Sequence, residues 1–138
     1  MTNPDFDKLR SEIFELHKQA IKAHLNKDVD FLVHNISENY VSVSKGEIRK
    51  PSKDEIKSQF SDYLNNTTFV EYGDLQEPII EFSDDGSVAW SIVRVKVAGL
   101  RTMNDGTERE FDFICAWITL YRRQNDRWIR LGEVSSFK

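Results

Sequence analysis

EREFDFICAWITLYRR (Glu108–Arg123), the polar triplet QND (Gln124–Asp126) and RWIRLGEVSSF (Arg127–Phe137) together decide the fold. Two long apolar runs joined by a tight polar turn predict an antiparallel hairpin. In the first run Phe113, Cys115, Trp117 and Thr119 alternate with Ile114, Ala116, Ile118 and Leu120, so neither parity is polar. A sheet with one wet face would carry polar residues at every second place. Apolar residues at both parities predict a sheet covered twice, by the chain's own helices on one side and by a second copy on the other.

The preceding segments extend this hairpin or pack on it. Val88 to Thr102 is a long strand between the turns Asp84-Asp85-Gly86-Ser87 and Asn104-Asp105-Gly106, where glycine supplies positive φ. Thr67 to Phe82 is extended but interrupted at Gly73-Asp74 and Pro78, the pattern of an edge strand with a bend or bulge. Ser52-Lys53-Asp54-Glu55 fits a capping box and starts a helix carrying Ile56, Phe60, Tyr63 and Leu64 on one face. Glu38 to Ser44 alternates Tyr40, Ser42 and Ser44 against Asn39, Val41 and Val43, a short strand ended by Lys45-Gly46.

At the N-terminus Pro4 occupies a favoured first helical position. Phe6, Leu9, Ile13, Leu16, Ala20 and Ala23 then follow at spacings of three and four, an apolar seam that Phe14, Ile21 and Leu25 widen. Asn26-Lys27 breaks the pattern, and Asp28 caps a second short helix with Val29, Phe31, Leu32 and Val33. Helices first and strands after them predict an α+β domain over residues 1–138: three N-terminal helices packed on a curved antiparallel sheet.

Composition narrows the function classes. A chain of 138 residues with 39% hydrophobic residues, three Trp and nine Phe has the apolar mass for one core. The net charge is −4, and the basic residues are dispersed among acids, so nucleic acid and anionic membrane surfaces are not expected partners. The locally basic Lys45–Lys57 is interrupted by Glu47, Asp54 and Glu55 and reads as a solvated loop. Cys115 is the only cysteine, which excludes an intrachain disulfide, and its apolar neighbours predict a buried, unreactive thiol. His17, His24 and His34 lack a nearby acid that would complete a ligand pattern, so structural roles are expected and no metal or organic cofactor is implied. Met1 to Asp5 has neither a basic start nor an apolar run, and no stretch approaches a membrane span, which predicts a cytoplasmic location.

Three motifs carry a family resemblance: Lys27-Asp28-Val29-Asp30-Phe31-Leu32 between the first helices, Asn39-Tyr40-Val41-Ser42-Val43 in the short strand, and Tyr121 to Ile129 before Ser136. With the order of elements, they resemble the SnoaL-like branch of the nuclear transport factor 2-like superfamily along nearly the whole chain. The resemblance implies a cystatin-like α+β cone with a conical apolar pocket and a homodimer formed through the outer sheet face. It does not fix a reaction, because the superfamily includes isomerases, cyclases, dehydratases, binding modules and assembly domains. The tyrosine and aspartate of its ketosteroid isomerases would fall near Ala20 and Ser44, and the His-x-His pair of many members at Gly132 and Val134. Arg94 resembles a pocket arginine of the hub domains of calmodulin-dependent kinase.

By the same resemblance, odd positions of the last two strands face the pocket: Phe113, Cys115, Trp117 and Thr119, then Leu131, Glu133 and Ser135. Trp90, Ile92 and Arg94 are expected to join them, with Tyr40, Phe60 and Tyr63 from the short strand and third helix, while Asp112 faces out. Arg94 and Glu133 are the candidate catalytic residues, an anion binder and a proton carrier, because a charge among apolar neighbours requires a partner. The expected function is binding of a small, largely apolar molecule. The alternatives are proton abstraction next to a carbonyl by a cofactor-independent isomerase, cyclase or dehydratase, and a protein-interaction or assembly domain.

Overall fold

The computed structural model describes residues 3–138; Met1 and Thr2, part of the N-terminal stretch read for a leader, lie outside the described residues. Three helices precede the meander: α1 (Phe6–Asn26), α2 (Val29–Val33) and α3 (Lys53–Asn65). The N-cap of α1 is Asp5, whose side chain accepts from the Lys8 amide, so the helix starts after Pro4 rather than on it. Lys27 ends α1 in the left-handed region (φ 58), and Asp28 accepts from the Phe31 amide to start α2. The Ser52–Glu55 capping box of α3 forms in both directions.

The seven strands are β1 (Ile36–Ser44), β2 (Glu47–Arg49), β3 (Thr67–Asp74), β4 (Ile79–Phe82), β5 (Val88–Thr102), β6 (Glu108–Gln124) and β7 (Arg127–Phe137). They form one sheet in the order β2-β1-β7-β6-β5-β3, with β4 also on β5. The short β2 was not legible in the sequence; Lys45-Gly46, both at positive φ, turns β1 back into it. The extended segment 67–82 becomes two strands, with a register shift between Phe69 and Glu71. Asn125 and Asp126, at φ 52 and 62, make the two-residue turn between β6 and β7. One pairing departs from the antiparallel rule: β1 runs parallel to β7. No hairpin joins those two strands, so none dictates their relative direction.

The helices cover one face of the sheet. Leu9 and Ile13 of α1 pack with Ile80, Ala89, Tyr121 and Trp128, closing the narrow end of the cone. Glu12 fastens this end: its carboxylate accepts from Arg123 Nη1 at 2.6 Å and from Trp128 Nε1 at 3.1 Å. Beyond it, α1 meets the sheet at β3 through His17 and His24, and α2 and α3 close the remaining side around Leu32 and Leu64. On the opposite sheet face Ile79, Ile92, Ile118, Val134 and Val43 pair in succession across five strands. Ile118, Leu120 and Val134 there are 37%, 41% and 45% exposed, without a cover from the described residues. No described helix is long and apolar enough to cross a membrane.

Candidate ligand cavity

Between the helices and the sheet lies a cavity of about 760 Å³. The pairing register decides which side chains enter it. Ser91 is opposite Thr119, Thr119 opposite Glu133 and Glu133 opposite Ser42, so four polar side chains form one row across β5, β6, β7 and β1. All four line the cavity. The neighbouring wall positions Val95, Val97, Phe113, Cys115 and Trp117 are apolar, and Phe60, Tyr63 and Tyr72 close the helical and β3 sides.

Phe113, Cys115, Trp117, Thr119, Glu133, Ser135, Tyr40, Phe60 and Tyr63 therefore all line this cavity. Four expected lining residues do not. Trp90, Ile92 and Arg94 pair with Leu120, Ile118 and Ala116 on the outer face, and the inner places of β5 belong to Ala89, Ser91, Val93, Val95 and Val97. The five-residue connection 103–107 pairs Thr102 with Glu108, so even positions of β5 stand beside even positions of β6. Leu131 is displaced by the register shift between Leu120 and Tyr121, which leaves it unpaired and puts Arg130 opposite Tyr121. Arg94 and Glu133 thus stand on opposite faces and cannot share a site. Asp112 faces out, 3.8 Å from Lys96.

Arg130 takes the inner cationic place expected of Arg94. Its guanidinium donates to Asn35 Oδ1 at 2.8 Å and to the Leu32 carbonyl, which fixes it against the end of α2. The Tyr40 phenol stands near the Glu133 carboxylate and favours its charged form. Glu133 retains accessible surface because it faces the cavity, yet burial among protein atoms raises its pKa above the usual carboxylate range, only partly offset by Arg130 and Tyr40. Burial also raises Tyr40, with the Glu133 charge adding to it, so the phenol stays a neutral donor. Burial pushes the Cys115 thiol up to about 11.

The histidines have more specific places than the sequence suggested. His17, buried on α1, meets Asp74 of β3 at 2.7 Å through Nε2, an acid 57 residues away that no local pattern announces. His24 uses Nδ1 on the Ala20 carbonyl at 2.7 Å, lies against Tyr72 with ring centres 4.8 Å apart, and is held below the usual imidazole pKa by burial. His34 places Nδ1 on the Phe31 carbonyl at 2.5 Å. Among the described residues no group of three His, Cys, Asp or Glu side chains could hold a metal ion. The site as a whole is an apolar chamber with one polar row, a carboxylate of raised pKa, a neutral phenol and a fixed guanidinium: it can bury an apolar body and hydrogen-bond a carbonyl or hydroxyl on it.

No family model and no curated protein matches the sequence. Solved structures do match the architecture of helices laid over a curved, unclosed sheet. An NTF2-like protein from Cytophaga hutchinsonii superposes with a TM-score of 0.72 at 15% identity, over 92% of this chain and 96% of that one. An NTF2-like protein with a cystatin-like fold from Novosphingobium aromaticivorans gives 0.66 at 15% identity, over 94% and 82%. A candidate calcium/calmodulin-dependent protein kinase II association domain from Xanthomonas campestris gives 0.67 at 16% identity, over 92% and 86%. The class is thus an α+β cone, and the chain has the cystatin-like fold of the NTF2-like superfamily. Gly132 has no room for a side chain: a Cβ there would run into the Val41 carbonyl.

Proposed function

We propose that the chain binds a small, largely apolar molecule in the cavity, with the molecule's polar group on the Glu133–Tyr40–Arg130 side. The observation that carries this reading is the row Ser42, Glu133, Thr119 and Ser91 set into an otherwise apolar chamber of about 760 Å³. A chamber of that size matches ordinary ligand sites, and convergent polar groups inside one are what orients a ligand. The neutral fluorophore N-phenyl-1-naphthylamine tests it. Titration should give saturable enhancement in the wild type, and Cys115→Trp, which projects an indole into the chamber, should abolish it while the circular dichroism stays native. Undiminished enhancement in the filled variant would refute the reading.

A second reading rests on Glu133 itself. A carboxylate of raised pKa in a largely apolar chamber is suited to carry a proton to or from the carbon next to a carbonyl, with Arg130 and Tyr40 facing the oxygen. Glu133→Gln separates the two: naphthylamine binding retained while turnover on a panel of cyclic ketones and enones is lost supports an enzyme. We further propose a homodimer through the outer face, in keeping with the exposed Ile118, Leu120 and Val134. The association domain among the structural neighbours makes assembly a related role for that face.

A further inference from the structure

The chain is acidic overall, with 23 acidic and 19 basic residues, but the cavity is not. Its lining includes Lys45, Arg101 and Arg130 against a single carboxylate, Glu133. Five of the lining residues are also exposed and so stand at the mouth: His34, Lys45, Gln59, Arg101 and Phe137. None is acidic. Among the described residues neither Lys45 nor Arg101 takes part in an ion pair.

Two local arrangements make this concentration costly to the chain. Arg101 of β5 is directly opposite Arg109 of β6, a like-charge cross-strand pair, which opposes folding. Lys45 is a non-glycine residue at φ 52, a conformation that L side chains enter at a cost, and it holds its ammonium 5.6 Å above the Phe137 ring. The Arg101 charge is felt inside the chamber as well: it partly offsets the rise that burial imposes on the Tyr63 phenol. Neither arrangement serves packing, since all three cations are exposed.

We propose that the ligand is an amphipathic anion whose carboxylate lies at the mouth, in the positive field of Lys45 and Arg101, while its apolar body, with any neutral polar group turned to the Glu133–Tyr40–Arg130 side, fills the aromatic chamber. This rests on the cavity-binding reading and names its ligand class. An anion at the mouth keeps most of its hydration and gains the positive field of cations outside any ion pair, whereas the same anion at the inner end would meet Glu133. Positive potential at the opening of an otherwise acidic protein also selects anions from solution.

The test is displacement of N-phenyl-1-naphthylamine by decanoate and by 1-decanol, which share a chain and differ in charge. Decanoate should displace the probe at least about three-fold more effectively than decanol at low salt. That advantage should vanish in 0.5 M NaCl and in the double variant Lys45→Gln/Arg101→Gln, while naphthylamine affinity is unchanged. Removing one member of the opposed pair should also leave the Arg101→Gln protein at least as heat-stable as wild type, so lost affinity cannot be read as lost folding. Equal displacement by acid and alcohol in the wild type would overturn the proposal and leave the cavity reading standing. Failure of the naphthylamine to bind at all would bring down both.

Discussion

Glu12 and Arg123 are the first pair to perturb, because they tie α1 to the β6–β7 hairpin on which the cone is built. Arg123 Nη1 and Nη2 reach the two carboxylate oxygens at 2.6 and 3.4 Å, Trp128 Nε1 adds a third donor at 3.1 Å, and the guanidinium lies 5.2 Å from the Trp128 ring centre. The side chains are 20% (Arg123) and 31% (Glu12) exposed, so solvent screens part of the attraction. A charged hydrogen bond contributes roughly 1.5–3 kcal/mol, and screening reduces the expected coupling to about 1–2 kcal/mol. Unfolding entropy of about 2.1 cal/mol/K per residue gives about 0.29 kcal/mol/K for 138 residues, so Glu12→Gln should lower Tm by about 3–7 °C. The Arg123 hydrogen bond holds the Glu12 pKa below its ordinary value. Its contribution is therefore full at neutral pH and is lost as pH falls through that ordinary value, about 4.3, toward the lower folded one. The assay is a double-mutant cycle of Glu12→Gln and Arg123→Gln by urea unfolding at pH 7 and pH 3. Coupling below about 0.3 kcal/mol at pH 7, or coupling that persists undiminished at pH 3, would refute the reasoning.

Three further outcomes follow from the same geometry. Glu133 has its folded pKa raised, so charging it costs stability: the cost is absent below the unfolded pKa, grows with rising pH, and is complete above the folded pKa. Glu133→Gln should accordingly gain in Tm relative to wild type between pH 4 and pH 8, and a pH-independent difference would contradict its burial. The Cys115 thiol, pushed up to about 11, should react with a disulfide reagent at pH 8 far more slowly in the native protein than in urea; equal rates would place it at the surface. Gly132→Ala, which drives a methyl into the Val41 carbonyl and strains the parallel β1–β7 pairing, should cost about 1–3 kcal/mol by urea unfolding, and a neutral result would show that the two strands can separate freely.

Local chemistry wrote the elements plainly into the sequence. The Ser52–Glu55 box, the Asp28 cap and the turn at Asn125-Asp126 each rest on interactions within a few residues, and all form. The facing of strands was harder to read. β5 is apolar at both parities, so its pattern does not say which set is inside; the available signal was that Arg94 and Lys96, both charged, share a parity, which puts that set outside. Arg130 was missed because a single register shift in the β6–β7 ladder changes the inward parity of β7 partway along it. His17–Asp74 joins residues 57 apart, and nothing in the composition of either segment marks the other.

Native mass spectrometry of the purified protein, followed by denaturation, tests the central claim most directly, since it reads subunit number and cavity occupancy at once. The account predicts a dimer that carries one small molecule per chain, either co-purified or loaded as N-phenyl-1-naphthylamine, and releases it on denaturation. A monomer that takes up no ligand under loading would contradict both the chamber and the outer-face interface.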